Sequence, residues 1–263
     1  MSSTLHVVYF SATGTTRLVA SLIADGFGGT AEVHDLLHRP QTAPVLLGED
    51  DTLLLAMPVY AGLIPHLCID QVRQFRGTDT PALAVAVYGN RDYDDALLQM
   101  TDLLTEGGFQ VIGAGAFVAQ HSIFPKVGMG RPDELDRAVI RGFAKDSRTL
   151  RDHPAVWKGK QLPVKGDPGY RSKVAQEAHI PFHPTGGRDC TACGACASVC
   201  PTHSIDTADL KGVRSDTCIS CGACISVCPH HCRGYHSVAY PPAALAFGAK
   251  CASRRDSEIF LLG

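Results

Sequence analysis

The chain has 263 residues, 45% hydrophobic and 19% charged, which excludes a disordered, collagenous or low-complexity protein and makes two globular domains the prior. Its 24 Lys and Arg against 26 Asp and Glu leave a formal charge of -2, so the overall balance favours neither nucleic acid nor an anionic membrane. No apolar run approaches the ~18–20 residues of a membrane span, and Met1-Ser-Ser-Thr-Leu carries neither the basic nor the apolar region of an export signal, so a cytoplasmic protein is expected.

The stretch 1–151 alternates strand-like and helix-like segments. Leu5 to Phe10 is a short β-rich run, and Thr15 to Phe27 carries Leu18, Val19, Leu22 and Ile23 at helical spacing. Ala31 to Leu37 and Thr52 to Met57 are expected strands, Leu63 to Phe75 a helix and Pro81 to Tyr88 a strand. Tyr93 to Glu106 reads as a helix ended by Gly107-Gly108, and Phe109 to Ala119 as a strand. Pro132 to Leu150 reads as a helix with proline in its first turn and Asp133, Glu134 and Asp136 following. This alternation predicts an α/β fold, a doubly wound parallel sheet with helices on both faces, whose ligand lies at the carboxyl ends of the strands.

Three loops fall at that end. Ser11-Ala12-Thr13-Gly14-Thr15-Thr16 joins the first strand to the first helix and combines four hydroxyls, a glycine and a helix N-terminus, an anion site without a cation. It has neither the lysine of a triphosphate loop nor the G-x-G-x-x-G of a dinucleotide loop, so a monophosphate is the natural ligand. The loop resembles that of flavodoxins, [ST]-x-[ST]-G-x-[ST], which binds the FMN phosphate; Thr15 stands where Asn is commoner. The second loop contains Pro58, Val59, Tyr60, Ala61 and Gly62, and the third Gly89, Asn90, Arg91, Tyr93 and Asp95. The flavodoxin resemblance implies that these two loops sandwich the flavin ring, with Tyr60 and Tyr93 as ring contacts and Gly89 and Asn90 on its polar edge. His121-Ser122, after the fifth strand, either approaches the flavin or caps its own loop.

Residues 152–187 are rich in Pro and Gly but include Trp157, Val164, Tyr170 and Phe182, and are expected to form a packed linker. Beyond it the cysteines concentrate: nine of the 11 lie between Cys190 and Cys232. The run C-x2-C-G-A-C-x-S-V-C-P occurs twice, from Cys190 to Pro201 and from Cys218 to Pro229. It matches the bacterial ferredoxin pattern C-x2-C-x2-C-x3-C-P. A zinc site uses two separated pairs and leaves the third cysteine and the C-P without a role. The ferredoxin resemblance implies two 4Fe-4S clusters with crossed ligation, one on Cys190, Cys193, Cys196 and Cys228, the other on Cys218, Cys221, Cys224 and Cys200. Cys68, Cys232 and Cys251 are then spare, expected as buried structural thiols, and His203, His230, His231 and His236 as surface or packing residues.

Residues 237–263 carry Leu245, Phe247, Ile259, Phe260, Leu261 and Leu262, too apolar for a solvated terminus, and are expected to fold back on the first domain. The whole resembles the flavodoxin–ferredoxin fusion proteins: a flavodoxin-like domain over 1–151, the linker, a small α+β dicluster ferredoxin domain over 188–236, and the tail. That resemblance implies an electron-transfer protein relaying electrons between FMN, two 4Fe-4S clusters and a redox partner protein, such as a ferredoxin-dependent reductase or oxidoreductase, and converting between two-electron and one-electron steps. The alternative is a flavin-dependent reductase of a small organic substrate fed through its own clusters. No dedicated acid–base constellation stands out, and no catalytic residue is assigned.

Overall fold

The structure is a computed structural model that describes residues 3–174 and 180–263; residues 175–179 of the expected linker and the first two residues lie outside it. The first unit runs β1 (Thr4–Tyr9), α1 (Thr15–Phe27), β2 (Thr30–Asp35), β3 (Val45–Leu47), β4 (Thr52–Pro58), α2 (Ile69–Val72), β5 (Phe75–Gly77), β6 (Thr80–Tyr88), α3 (Ala96–Glu106), β7 (Phe109–Val118) and α4 (Glu134–Arg151). Short α5 (Pro154–Trp157) and α6 (Tyr170–Val174) follow. The cysteine region holds β8 (Thr185–Gly186), α7 (Ala195–Ser198), α8 (Ala223–Ser226) and β9 (Arg233–Gly234), and the tail holds α9 (Tyr240–Lys250) and β10 (Glu258–Leu261).

The main sheet has the order β10-β7-β6-β4-β1-β2, with every pairing parallel except that of β10. Leaving out the tail strand, the five parallel strands stand in the order 2-1-3-4-5 that defines the flavodoxin-like doubly wound sheet. β6 is buried at every position and β4 at all but Pro58, so both faces of the sheet centre are covered. Such strands read as continuous apolar runs for this reason.

The helix expected over Leu63 to Phe75 is a correction. Only a 3-10 turn at His66–Cys68 and the single turn of α2 form there, because Pro65 cannot donate inside a helix and Phe75–Gly77 pairs in parallel with Val45–Leu47 as a separate two-stranded sheet. The linker lies on the first unit: Trp157 is buried and its indole N–H donates to Leu150 O at 2.9 Å, and Tyr170 donates to Asp102 at 2.6 Å. Thr185 and Gly186 pair with Gly234 and Arg233, so the cysteine unit begins inside the expected linker range.

The tail adds an antiparallel edge strand, Glu258 opposite Ala116 and Leu261 opposite Gly113. Its approach is held by a buried hub. Arg131 pairs with Asp136 and donates to Arg255 O at 3.0 Å and to Asn90 at 3.4 Å; Asp136 in turn forms the capping box of α4 with Asp133 and receives Arg254 at 3.2 Å. Removing one partner of a buried pair strands the other charge. Arg131→Leu is therefore expected to destabilise the protein by about 3 kcal/mol in urea unfolding followed by circular dichroism, and Arg254→Leu, whose side chain is partly exposed, by less than about 1 kcal/mol.

Candidate functional site

The two cysteine runs fold alike. Gly194 and Gly222, at φ 82 and φ 83, take the left-handed conformation that lets each loop turn directly into the one-turn helices α7 and α8, which carry the third cysteine of each run. Cys190, Cys193 and Cys196 surround one small cavity with Cys228, and Cys218, Cys221 and Cys224 surround another with Cys200. Each run thus sends its fourth cysteine to the other's cavity. Backbone amides point at sulfur, from Ser204 to Cys200 Sγ at 3.3 Å and from Ser220 to Cys218 Sγ at 3.4 Å. Burial pushes the Cys221 thiol up to about 12 and raises Cys218 and Cys224.

His203 and His231, at matching places after the two runs, are turn residues with φ 49 and φ 48. Thr185 Oγ1 is 3.0 Å from His236 Nδ1. Cys68 and Cys251 are buried, but Cys232 is not the buried structural thiol expected: it is half-buried, lines the Cys190 cavity, and its sulfur lies 3.6 Å from that of Cys228.

Sequence reasoning missed Arg233. It is 4% exposed and reaches both ligand sets, lining the Cys190 cavity and donating to Leu210 O at 2.8 Å and to Pro184 O and Gly212 O at 3.0 Å, with Cys196 Sγ at 3.7 Å. On the other set it lowers the pKa of Cys224, opposing the larger effect of burial. The signal was the repeat itself: buried Ile205 holds the equivalent position after the first run, and Cys232 likewise stands where the first run has Ser204. A buried cation there favours the reduced, more negative state of a cluster.

At the carboxyl end of the sheet the first loop runs into the N-terminus of α1. Gly14, at φ 89, caps α1, which has no acidic residue in its first turn, and Ser11 Oγ accepts from the Arg17 amide at 3.1 Å. Among the described residues, no hydrogen bond takes up the amides or hydroxyls of Thr13, Thr15 and Thr16. Free amides and hydroxyls grouped around a helix N-terminus fit a monophosphate. In the second loop, Val59 donates to Val87 O and Tyr60 and Leu63 exchange backbone hydrogen bonds, turning the chain through Ala61 and Gly62. The ring of Tyr60 meets Phe10 edge-on at 6.5 Å, and burial beside Cys221 and Cys68 raises its pKa well above the usual phenol value.

The tail lies along the third loop. Asn90 Nδ2 donates to Cys251 O and Ser253 O at 2.9 Å, and its Oδ1 accepts from the Arg255 amide at 3.0 Å. Tyr93 is 3% exposed, packs edge-on to Tyr88 and donates to Glu258 at 3.0 Å. Asp95 accepts from the Asp167 amide of the linker at 2.8 Å, and Gly89 lies under the His121 ring. These contacts tie the Asn90 amide and the Tyr93 phenol to the tail and one Asp95 oxygen to the linker. His121 caps its loop, Nδ1 accepting from the amides of Ile123 and Phe124 at 3.1 and 3.2 Å.

The second cysteine run docks on this sheet end. A Cβ added at Gly222 would lie 3.2 Å from the Thr13 methyl and 3.9 Å from Ser122 O, and Cys221 and Ala223 join the core of the first unit. An aromatic cluster holds the arrangement: Tyr240 stacks on Phe124 at 5.6 Å and on Tyr235 at 5.1 Å, Phe247 meets Phe124 at 4.7 Å, and Tyr240 donates to Ile123 O at 2.6 Å. Beside it, a groove of about 1070 Å³ runs between the second loop, the start of α3, the linker and the second run, lined by Tyr60, Asp94, Asp95, His183 and Cys218 among others.

Residues 189–232 match the family model of a 4Fe-4S dicluster domain. The chain therefore joins a flavodoxin-like domain to a 4Fe-4S dicluster domain. A redox, electron-transfer role follows from that pairing. No curated protein matches the chain significantly by sequence. Solved structures that align with it include a flavodoxin from the domain Archaea, with 14% identity, covering 57% of this chain and 99% of that one at a TM-score of 0.41. A flavodoxin, WrbA-like protein from Agrobacterium tumefaciens aligns with 15% identity over 58% of this chain and 98% of its own at 0.41. Rubredoxin oxygen:oxidoreductase from Desulfovibrio gigas aligns with 13% identity over 57% of this chain and 36% of its own at 0.39. The fold assignment rests on the strand order. No helix among the described residues is long and apolar enough to cross a membrane.

Two outcomes follow for the cysteine unit. Cys200→Ser is expected to abolish the cluster of the second run and spare that of the first, read from iron content and electron paramagnetic resonance of the reduced protein. Arg233→Met is expected to lower the midpoint potentials of both clusters, read by spectroelectrochemistry on protein with unchanged iron content.

Proposed function

We propose that this chain is an iron–sulfur flavoprotein that passes electrons between FMN, its two 4Fe-4S clusters and a redox partner protein, exchanging two-electron for one-electron steps. The observation that carries this reading is the seating of Gly222 against Thr13, with Cys221 and Ala223 in the core of the first unit, which brings the ligand loop of one cluster onto the first loop at the sheet end. Ser11, Thr13, Gly14, Thr15 and Thr16 hold the phosphate through free amides and hydroxyls. Pro58, Val59, Tyr60, Ala61 and Gly62 supply the ring side together with the third loop, whose Asp94 and Asp95 line the adjoining groove. FMN, when bound, supplies a centre that takes electrons singly or in pairs. The eight cysteines of the two runs hold the clusters in crossed sets. Arg233 bridges the two ligand sets and steadies negative charge on either, and the tail and aromatic cluster keep the dicluster unit from swinging off the sheet end.

The groove favours a second reading, a flavin-dependent reductase of a small organic substrate, because it is large enough for a small molecule and is flanked by the Tyr60 and His183 side chains as proton donors.

An anaerobic reductive titration of the purified protein, with iron, sulfide and flavin assayed on the same sample, tests the first reading. One FMN and two cubanes are expected to take up about four electrons. Iron and sulfide without flavin, and no rebinding of added FMN, would leave the first domain as a docking platform for a ferredoxin.

A further inference from the structure

Outside the cysteine runs, β1 and β2 bring three ligand-type side chains together. In their parallel register His6 stands opposite Glu32 and Val8 opposite His34, so His6, Glu32 and His34 all leave one face. His6 Nδ1 lies 3.2 Å from His34 Nε2. One Glu32 oxygen lies 3.8 Å from His6 Nδ1 and the other 3.6 Å from His34 Nε2. The rings are fixed from behind: they lie nearly parallel at 5.5 Å, and His34 meets the buried Phe75 edge-on at 5.0 Å.

Hydrogen bonding accounts for only part of this. One proton shared between the two imidazoles satisfies that pair, yet the Glu32 carboxylate converges on the same two nitrogens at separations too long for hydrogen bonds. A shared cation explains all three distances. Two imidazole nitrogens each about 2.0–2.1 Å from one ion at a near-tetrahedral angle stand about 3.3 Å apart, and a straddling carboxylate stands somewhat farther. Three ligands on an octahedral face would crowd to about 3 Å throughout, which the carboxylate distances do not match. With two imidazoles, one carboxylate and no sulfur, the ligand set suits Zn²⁺.

We propose that His6, His34 and Glu32 form a zinc site whose fourth position faces solvent beside the Glu32 side chain, which is 59% exposed. The ion clamps β2, the outermost strand and exposed over its first four residues, to β1.

The test uses the full-length, cluster-loaded protein, kept anaerobic, stripped of loosely held metal with a chelator, equilibrated with zinc chloride and dialysed. About one zinc per chain is expected, with a K-edge absorption spectrum showing nitrogen and oxygen neighbours at about 2.0 Å and no sulfur near 2.3 Å. Zinc is also expected to raise the melting temperature. Glu32→Gln, at an exposed position, is expected to weaken zinc retention at least tenfold and His34→Asn to abolish it, with iron content and visible spectrum unchanged in Glu32→Gln. No retained zinc, a sulfur shell, or equal retention by wild type and Glu32→Gln would overturn the proposal.

Discussion

The antiparallel pairing of Glu258–Leu261 with Gly113–Ala116 closes the chain on itself, and most of what distinguishes this protein from a bare sheet with a cluster unit follows from that closure. Because β10 must reach the edge of β7, residues 251–257 are drawn across the third loop, where Asn90, Tyr88 and Arg131 receive their carbonyls and amides. The same path lays α9 over the loop after β7, where Phe247 and Tyr240 meet Phe124 and His121. The dicluster unit is thus held at both ends, by the linker before it and by the tail after it. Fixed docking matters for electron exchange between centres in a way that a flexible tether would not supply, since transfer needs proximity that persists.

The parts of the site legible in the sequence were those whose chemistry dictates spacing. Three thiolates at intervals of three and a fourth before proline form a pattern that few other demands produce, and the first loop's hydroxyls and glycine fall where a helix must begin. The path of the tail across the third loop was illegible for the opposite reason. Asn90 and Tyr93 are residues that a flavin edge and a returning peptide recognise equally well, through an amide that bonds carbonyls and a phenol that packs and donates. The tail they meet comes from the far end of the chain, from Cys251 to Glu258, and nothing local records it.

The fold was legible to a similar degree. The parallel order followed from alternation and apolar runs, because strands buried on both faces have no polar side to show. The segment from Leu63 to Phe75 failed because its apolar spacing suits a helix while Pro65 and the small β3–β5 pairing set its limits. Arg233 and Cys232 were visible as breaks in the internal repeat, and such breaks mark positions where the two halves have different neighbours. Ile205 fills apolar space in one half; its counterpart has two ligand sets to face and three carbonyls and a thiol to satisfy.

The dicluster unit also shows why its ligands and its docking belong to one energetic problem. Its helices are single turns, and its buried apolar side chains beyond the cysteines are little more than Ile205 and Ala223. A unit this small cannot offset its chain entropy by apolar burial, so metal ligation must carry its folding. Burial raises the Cys218, Cys221 and Cys224 thiols, so ligation works against their desolvation. Seating Cys221 and Ala223 in the core of the first domain then adds the apolar contact that the dicluster unit lacks by itself. The second run is the part that leans on the sheet end, through Cys221, Gly222 and Ala223.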